Sequence, residues 1–246
     1  MKNKELFSQL KVVSTAVLRV DGRGFSKTLR KLEFKKPYDI RFTESMVRST
    51  HDFFSESGIN PTFAYLFSDE INLVFTRELP FNGRLEKIDS VIPSFIASAL
   101  TIHLKSAYPL SFDSRVSIID RNEITEYLNW RQNECWRNLV SSYAYYLLLE
   151  DGMNAKEAAV KLKGMKSDTL HQLAWEHGIN LAETPAWQRR GVMIYKQTFE
   201  KQGHNPLTGE NPMVSRTKIV EDWELPLFKS DDGEQLIHSI INELQT

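Results

Sequence analysis

Two aspartates far apart in the sequence each follow a short apolar run. Asp21 ends the apolar part of AVLRVDGRGF (16–25), and Asp69 lies within TFAYLFSDEINLVF (62–75). If both runs are strands at the centre of one sheet, the two carboxylates meet at one edge, where they repel and at least one pKa rises. A divalent cation relieves this repulsion, and Mg²⁺ prefers one or two carboxylates together with waters and substrate phosphates. These residues therefore indicate metal-assisted chemistry on a phosphate.

The glycines on either side of Arg23 bear on what the first run can bind. Gly22 and Gly24 allow close backbone approach, so the Gly22 carbonyl oxygen is a further candidate ligand. The segment does not match the dinucleotide-binding fingerprint, because position 27 is lysine where a third glycine is required. An ordinary turn after a strand is the alternative interpretation of the Asp-Gly pair.

The spacing of apolar residues predicts the elements that would position these acids. The predicted strands are residues 16–20, two strands of a β-hairpin within 62–75, and residues 115–119. One predicted helix starts near the proline of KPYD and ends at Gly58, and a second covers residues 85–100. The order βαββαβ is that of an α+β, ferredoxin-like fold, with an antiparallel sheet, two helices on one face and the other face free for a site.

The second half of the chain has a different pattern. A long helix is predicted over residues 124–150, followed by two shorter helices with Asn154 and Ser167 as N-caps. Two strands, residues 191–199 and 213–220, are then joined by the turn-rich NPLTGENP segment. No Gly/Ser linker is present, so we expect a catalytic core over residues 1–121 and a helical and β-hairpin portion over residues 122–246, packed as one body.

Composition and charge are those of an ordinary globular protein. The formal net charge is −1, which excludes an all-round basic coat but allows a local basic face such as residues 27–36. Cys135 is the single cysteine, which excludes an intramolecular disulfide framework and fits a reducing compartment. The least charged segment, residues 90–104, is too short to span a bilayer, and the N-terminus lacks an apolar signal core. We therefore expect a cytoplasmic protein with no membrane association.

An ordered series of short motifs resembles the tRNA-histidine guanylyltransferase superfamily over residues 12–220. The motifs are VLRVDGRGF, KPYD, YLFSDEINLVF, FNGRLEK, FDSR and LNWRQNEC, followed by HGIN, PAWQRRG and RTK. The resemblance implies a polymerase-palm core that adds nucleotides in the 3′-to-5′ direction to the 5′ end of tRNA. It also implies two Mg²⁺ ions, ATP and GTP or other nucleoside triphosphates as substrates, and a homotetramer.

The resemblance assigns roles to residues at matching positions. It implies that Asp21, the Gly22 carbonyl and Asp69 bind the metals, and that Asp21, Asp69 and the supporting acid Glu70 are catalytic. The positions implied to bind the nucleotide, its triphosphate or the tRNA end are Arg19, Arg23, Gly24, Lys36, Asp39, Ser68, Arg84, Lys87 and Arg115. Contacts with the body of tRNA are expected from Arg131, Asn138, Arg189, Arg190, Arg216 and Lys218, each with a solvated surface position as the alternative.

The sequence departs from the family pattern directly after its WRQ motif. Histidine-specific members carry a HINxxY-type motif there, whereas this chain has Trp136 for the His and Ser141 for the Tyr, and retains only Asn138. An indole cannot carry a proton as an imidazole does, so Trp136 either stacks on a base or fills the core.

This departure indicates the guanylyltransferase-like branch, whose members resemble template-dependent enzymes that repair or edit truncated tRNA 5′ ends. Addition of G at position −1 of tRNA-histidine is the alternative activity. A palm-like nucleotidyl cyclase and an inactive RNA-binding module are more remote alternatives.

Overall fold

The computed structural model describes residues 4–203 and 211–243 of the chain. The strands are β1 (Ala16–Gly22), β2 (Phe63–Phe67), β3 (Glu70–Phe75), β4 (Phe112–Ile118), β5 (Val192–Gln202) and β6 (Met213–Asp222). The α-helices are α1 (Phe25–Lys31), α2 (Ile40–Glu56), α3 (Leu85–His103), α4 (Ile124–Glu150), α5 (Ala155–Leu162), α6 (Ser167–Glu176), α7 (Ala186–Arg190) and α8 (Asp231–Glu243). Most of the NPLTGENP segment predicted to join β5 and β6 lies outside the described residues.

The six described strands form one antiparallel sheet in the order β4-β1-β3-β2-β5-β6. The first four have the ferredoxin-like order, which confirms the predicted α+β class. The register of β1 places Asp21 opposite Glu70 of β3 and Arg19 opposite Arg115 of β4. The β5–β6 hairpin was predicted, but its pairing with β2, which extends the sheet from the second half of the chain, was not.

Different helices cover the two faces of the sheet. Leu18 and Ile71 face the core formed with α2 and α3, whereas Val17 and Val74 face the core formed with α4 and α8. Because strand residues alternate between faces, Arg19 and Asp21 lie on the same face as Val17. The face expected to be free is therefore partly covered by α4, but it is exposed along β4.

Three helix starts differ from the predicted ones. Residues 25–31, which overlap the basic segment and were not predicted as a helix, form α1, because Phe25 and Leu29 bury one side of this short helix in the core. Helix α2 begins after Asp39 rather than at the proline, since the Asp39 carboxylate caps it by accepting a hydrogen bond from the Arg41 backbone N–H at 3.0 Å. Ser167, predicted as an N-cap, is instead the first residue of α6.

The other long apolar elements match their sequence patterns closely. Helix α4 has the predicted bounds, and α3 contains most of the least charged segment. Ile92, Ile96 and Leu100 of α3 are fully buried against the sheet. Within residues 4–203 and 211–243, no helix combines the length and apolar character needed to cross a bilayer.

Candidate active site

The end of β1 and the turn between β2 and β3 meet at one edge of the sheet. The backbone N–H of Gly22 donates to the carbonyl oxygen of Asp69 at 3.0 Å. Asp21 and Asp69 line one cleft of about 290 Å³. Its other walls are Arg19, Phe67, Ser68, Glu70, Arg131, Glu134 and Asn138. The structure thus brings together the two acids that the sequence separates.

The surroundings of Asp69 favour the binding of a cation. Burial raises the pKa of the Asp69 carboxyl, the hydrogen bond from Ser68 lowers it, and the charge of Asp21 raises it again. Ser68 Oγ donates to Asp69 Oδ1 at 3.1 Å, which fixes one carboxylate oxygen. Because a positive charge between two carboxylates stabilises their ionised forms, this pair is suited to a divalent ion.

The backbone at Gly22 leaves no room for a side chain. A Cβ at this position would lie 2.8 Å from both Cβ and Oδ2 of Asp69, and 2.9 Å from Cδ2 of Phe25. In the described residues, no group of three or more His, Cys, Asp or Glu side chains forms an all-protein metal site. Two carboxylates beside an open cleft nevertheless fit Mg²⁺, which keeps several waters and binds substrate phosphates.

Gly22→Ala tests this close approach. We expect Mg²⁺ at about ten times its Kd to raise the unfolding temperature of the wild type by about 3–5 °C. The added methyl should displace the Asp69 carboxylate and remove most of this increase, as measured by differential scanning calorimetry. Gly203→Ala is the control, because Gly203, like Gly22, does not have a positive φ, and its added Cβ would meet other atoms only at 3.4 Å. If Mg²⁺ raised the unfolding temperature of Gly22→Ala as much as that of the wild type, this would contradict a Mg²⁺ site at Asp21 and Asp69 beside Gly22.

Glu70 borders the cleft, but both of its carboxylate oxygens are bound within the protein. Oε1 accepts hydrogen bonds from Arg131 Nε at 2.9 Å and Asn72 Nδ2 at 2.8 Å, and Oε2 accepts one from Arg131 Nη2 at 2.6 Å. Burial raises the pKa of Glu70, and the hydrogen bonds from Arg131 and Asn72 lower it. Glu70 thus joins β3 to α4 through these hydrogen bonds, and its implied catalytic role stays a prediction.

Arg131, which was expected to contact tRNA, is bound within the protein. Arg131 is 5% exposed, and its guanidinium is held by Glu70. Asn72 extends this network, since it is fully buried and accepts a hydrogen bond from Tyr127 Oη at 2.7 Å. Sequence reasoning missed Asn72, although an amide inside the apolar strand EINLVF was a signal that a buried polar partner exists.

A second cavity of about 140 Å³ shares Ser68 with the cleft and is bordered by Lys36 and Asp39. Burial lowers the pKa of Lys36, whereas the nearby charge of Asp69 raises it. Asp39 is bound to the protein itself, because its Oδ2 accepts from the Lys35 backbone N–H at 2.8 Å and from Arg41 Nη2 at 2.5 Å. The bonds with Arg41 hold the pKa of Asp39 well below its usual range. The structure therefore places Lys36 and Ser68 beside the acids, and Asp39 in a capping role.

Other predicted ligands lie at the same edge of the sheet. Arg19 lines the cleft. Arg115, which lies opposite Arg19 on β4, is exposed, and its Nη2 is 3.5 Å from Asp113 Oδ1. Arg23 is exposed, and its backbone N–H donates to Ser111 at 2.9 Å. Gly24 follows with a φ of +70°, a value that favours glycine, at the start of α1.

Arg84 and Lys87 do not line this cleft. Arg84 borders a separate cavity of about 690 Å³ that shares no lining residue with the cleft, and its Nε donates to the Phe81 carbonyl at 3.3 Å. Lys87 is exposed on the first turn of α3. The N-terminal segment holds this turn, since the Leu85 backbone N–H donates to Leu10 at 3.1 Å. The structure therefore does not bring these two residues to the acidic cleft, and their implied triphosphate contact stays a prediction.

Arg189 and Arg190, both expected to contact tRNA, lie away from the acids. They border a cavity of about 280 Å³ with Trp136. The lining residues of α4 show that this cavity is on the helix face opposite the acidic cleft. Arg189 Nε donates to the Thr184 carbonyl at 2.6 Å, and Arg190 Nη1 donates to the Leu225 carbonyl at 2.9 Å. Part of each guanidinium is therefore used to hold the protein's own loops.

The remaining tRNA candidates have different surroundings. Asn138 lines the acidic cleft, and Arg216 and Lys218 are exposed on β6. Trp136 is partly buried, and its ring lies 5.4 Å from that of His171, so it contributes to packing. Cys135 is buried, and burial raises the pKa of its thiol to about 12, which keeps it protonated at neutral pH.

Comparison with known proteins links this site to one family. A model of the family described as tRNAHis guanylyltransferase matches residues 1–120, and one described as the Thg1 C terminal domain matches residues 122–225. A probable tRNA(His) guanylyltransferase of Dictyostelium discoideum is 31% identical over 75% of this chain and 76% of its own length. The uncharacterised protein R259 of Acanthamoeba polyphaga mimivirus is 32% identical over 74% and 70%.

A solved structure shares the fold. It is a bacterial tRNA(His) guanylyltransferase (Thg1)-like protein in complex with ATP, with a TM-score of 0.72 and 21% sequence identity. The match covers 98% of this chain and 96% of that protein, so the palm-like sheet and the helical second half are both shared.

Proposed function

The chain belongs to the tRNAHis guanylyltransferase family of nucleotidyltransferases, and we propose that it adds nucleotides in the 3′-to-5′ direction to truncated tRNA 5′ ends, selecting them by pairing with a template strand. The observation that carries this proposal is the convergence of Asp21 and Asp69 on one cleft beside Gly22. Addition of G at position −1 of tRNA-histidine is the second candidate, because the relative from Dictyostelium discoideum is named a probable tRNA(His) guanylyltransferase.

The reaction is an in-line attack on phosphorus. The 3′-hydroxyl of the incoming nucleotide forms a new bond to the 5′-terminal phosphorus of the RNA, and the bond to the leaving pyrophosphate or adenylate breaks. Two Mg²⁺ ions at Asp21 and Asp69 would supply charge neutralisation and a lowered hydroxyl pKa. Asp21 and Asp69 project from the ends of rigid elements, and Ser68 orients the Asp69 carboxylate.

The 3′-to-5′ direction brings two highly anionic groups together. The incoming nucleotide keeps its own triphosphate, and the RNA end carries a second activated group. Lys36 beside Asp69, and Arg19 and Arg115 near Asp21, are the cations placed to neutralise them. ATP would activate 5′-monophosphate ends, and GTP or other nucleoside triphosphates would be added; the ATP complex of the bacterial structural relative supports this substrate class.

The residue that replaces the histidine of the HINxxY-type motif supports template-dependent addition. The indole of Trp136 packs on His171 and, unlike an imidazole, cannot carry a proton. An enzyme that selects nucleotides by Watson–Crick pairing needs no guanine-specific pocket. The homotetramer and the cytoplasmic location are proposed with this function from the family resemblance, and size-exclusion chromatography with light scattering tests the oligomer.

A single extension assay separates the candidate functions. The protein is given a 5′-truncated, 5′-triphosphorylated tRNA, Mg²⁺ and each nucleoside triphosphate separately. We expect addition only of the nucleotide complementary to the opposite acceptor-stem base, and a change of that base should change the nucleotide that is added. Addition of G regardless of the template base would instead support the guanylyltransferase activity. Absence of extension on every tRNA would refute nucleotide addition.

A further inference from the structure

A large aromatic side chain is exposed beside the acidic cleft and has no role in the chemistry above. Trp130 of α4 is 49% exposed. Its ring centroid lies 5.9 Å from the guanidinium carbon of Arg19 and 4.5 Å from that of Arg131. Both arginines line the cleft with Asp21 and Asp69, so the indole lies at the rim of the cleft.

Buried groups fix the position of this indole. Tyr127 packs against it edge to face, with centroids 5.6 Å apart at 79°, and Tyr127 is itself anchored on the buried Asn72. Arg131, whose guanidinium also contacts the Trp130 ring, is fixed by its two hydrogen bonds to Glu70. The exposed part of Trp130 is therefore a fixed aromatic surface beside the two arginines that line the cleft, and such surfaces bind bases at low entropic cost.

The charge next to Trp130 suits nucleic acid. Within the described residues, Arg19 Nε is buried without a hydrogen-bond partner. Arg115, opposite Arg19 on β4, is exposed, and its one described partner is the exposed Asp113 at 3.5 Å. Arg19 thus extends to Trp130, and Arg115 is exposed on the adjacent strand opposite Arg19, so phosphate oxygens near the cleft can accept from both guanidinium groups.

We propose that Trp130 is the stacking platform for the terminal base pair of the RNA substrate, with Arg19 and Arg115 contacting the adjacent phosphates. This inference rests on the proposed function, because the RNA end must lie at Asp21 and Asp69 for chemistry to occur. Stacking tolerates any sequence, since every base has a π-face, and this tolerance suits an enzyme in which pairing selects the nucleotide. Trp130 then sets the position of the 5′ phosphate relative to the acids.

The test measures RNA binding without nucleotide addition. The full-length protein is titrated, with Mg²⁺ but no nucleoside triphosphate, into a 5′-truncated tRNA carrying 2-aminopurine in its last acceptor-stem base pair. The wild type should change the fluorescence of this base on binding. Trp130→Leu should weaken binding about ten- to a hundredfold and abolish the fluorescence change, whereas Trp130→Phe should bind within about fivefold of the wild type.

A matched variant and kinetic measurements show whether an RNA base or the base of the incoming nucleotide contacts Trp130. Trp175→Leu removes another exposed tryptophan, on α6, and should bind like the wild type. Wild-type binding by Trp130→Leu overturns the proposal, as does equal loss in the Leu and Phe variants, because the contact would then not depend on an aromatic ring. If Trp130→Leu raised the KM for the nucleoside triphosphate and left the RNA affinity unchanged, Trp130 would contact the base of that nucleotide. This result would also overturn the proposal. Binding with no extension would refute the proposed function and leave this site standing.

Discussion

Asp21→Asn and Asp69→Asn are each expected to lower the rate of nucleotide addition by about a thousandfold or more, equivalent to about 4 kcal/mol in the activation barrier. Asparagine keeps the shape of the side chain and removes the negative charge. The cleft then lacks the charge that holds a divalent ion, and the developing charge at phosphorus is not neutralised. Single-turnover extension of 5′-triphosphorylated tRNA measures the loss of the chemical step directly.

Asp69→Asn should lower the reaction rate without lowering the stability of the folded protein. Burial and the charge of Asp21 raise the pKa of Asp69, which shows that its charged form is disfavoured in the folded protein without a metal ion. Asparagine removes this repulsion, so without Mg²⁺ the variant should unfold at the same temperature as the wild type or higher. Added Mg²⁺ should stabilise only the wild type.

Asp113→Asn is the matched control for both aspartates. Asp113 lies opposite Asp21 in the register of β1 and β4, but it is exposed and does not line the cleft. Its variant should keep activity within about threefold of the wild type and retain the Mg²⁺ effect, because an exposed carboxylate is screened by solvent. Turnover close to that of the wild type in Asp21→Asn or Asp69→Asn would discredit the metal assignment.

Arg131→Ala is expected to lower the free energy of unfolding by about 3–5 kcal/mol. Glu70 is 6% exposed, and two of its hydrogen bonds come from this guanidinium. Without Arg131, the buried Glu70 must either remain charged and unpaired or take up a proton, and both cost free energy. Urea unfolding followed by circular dichroism measures the change.

A double variant separates the ion pair from simple packing. Glu70→Gln combined with Arg131→Met removes both charges while keeping the volumes similar, so it should be more stable than Arg131→Ala. Arg137→Ala is the control, because its pair with Glu134 is on the helix surface and should contribute at most about 1 kcal/mol. Equal effects of Arg131→Ala and Arg137→Ala would show that burial does not make the Glu70 pair important.

Much of the fold follows from local patterns. The short apolar runs around residues 16–20 and 62–75 predict the strands, and the helical spacing over residues 124–150 gives α4 its bounds. Location of the two acids at strand ends follows from these patterns, because the apolar pattern that indicates a strand or a helix lies within a few consecutive residues. The family resemblance then singles out the acids, which periodicity alone leaves open to interpretation as turn residues.

Ionic partners were not predictable in this way. Arg131 was expected to contact tRNA and Glu70 to be a supporting catalytic acid, and the structure shows that they bind each other inside the protein. Arg84 and Lys87 matched motif positions, yet their turn is held away from the cleft by the N-terminal segment. A charged side chain takes the partner that the fold brings near, and that partner is usually distant in sequence.

Local sequence patterns establish the order of strands and helices, the acids at the strand ends and the family to which these acids point. The folded chain is needed to show which face of the sheet α4 covers, which arginines are buried, and that Trp130 lies exposed next to two guanidinium groups beside the cleft. The two differ in how far apart in sequence the residues involved are. Apolar periodicity is a property of a few neighbouring residues, whereas burial and charge pairing depend on segments that meet only when the chain has folded.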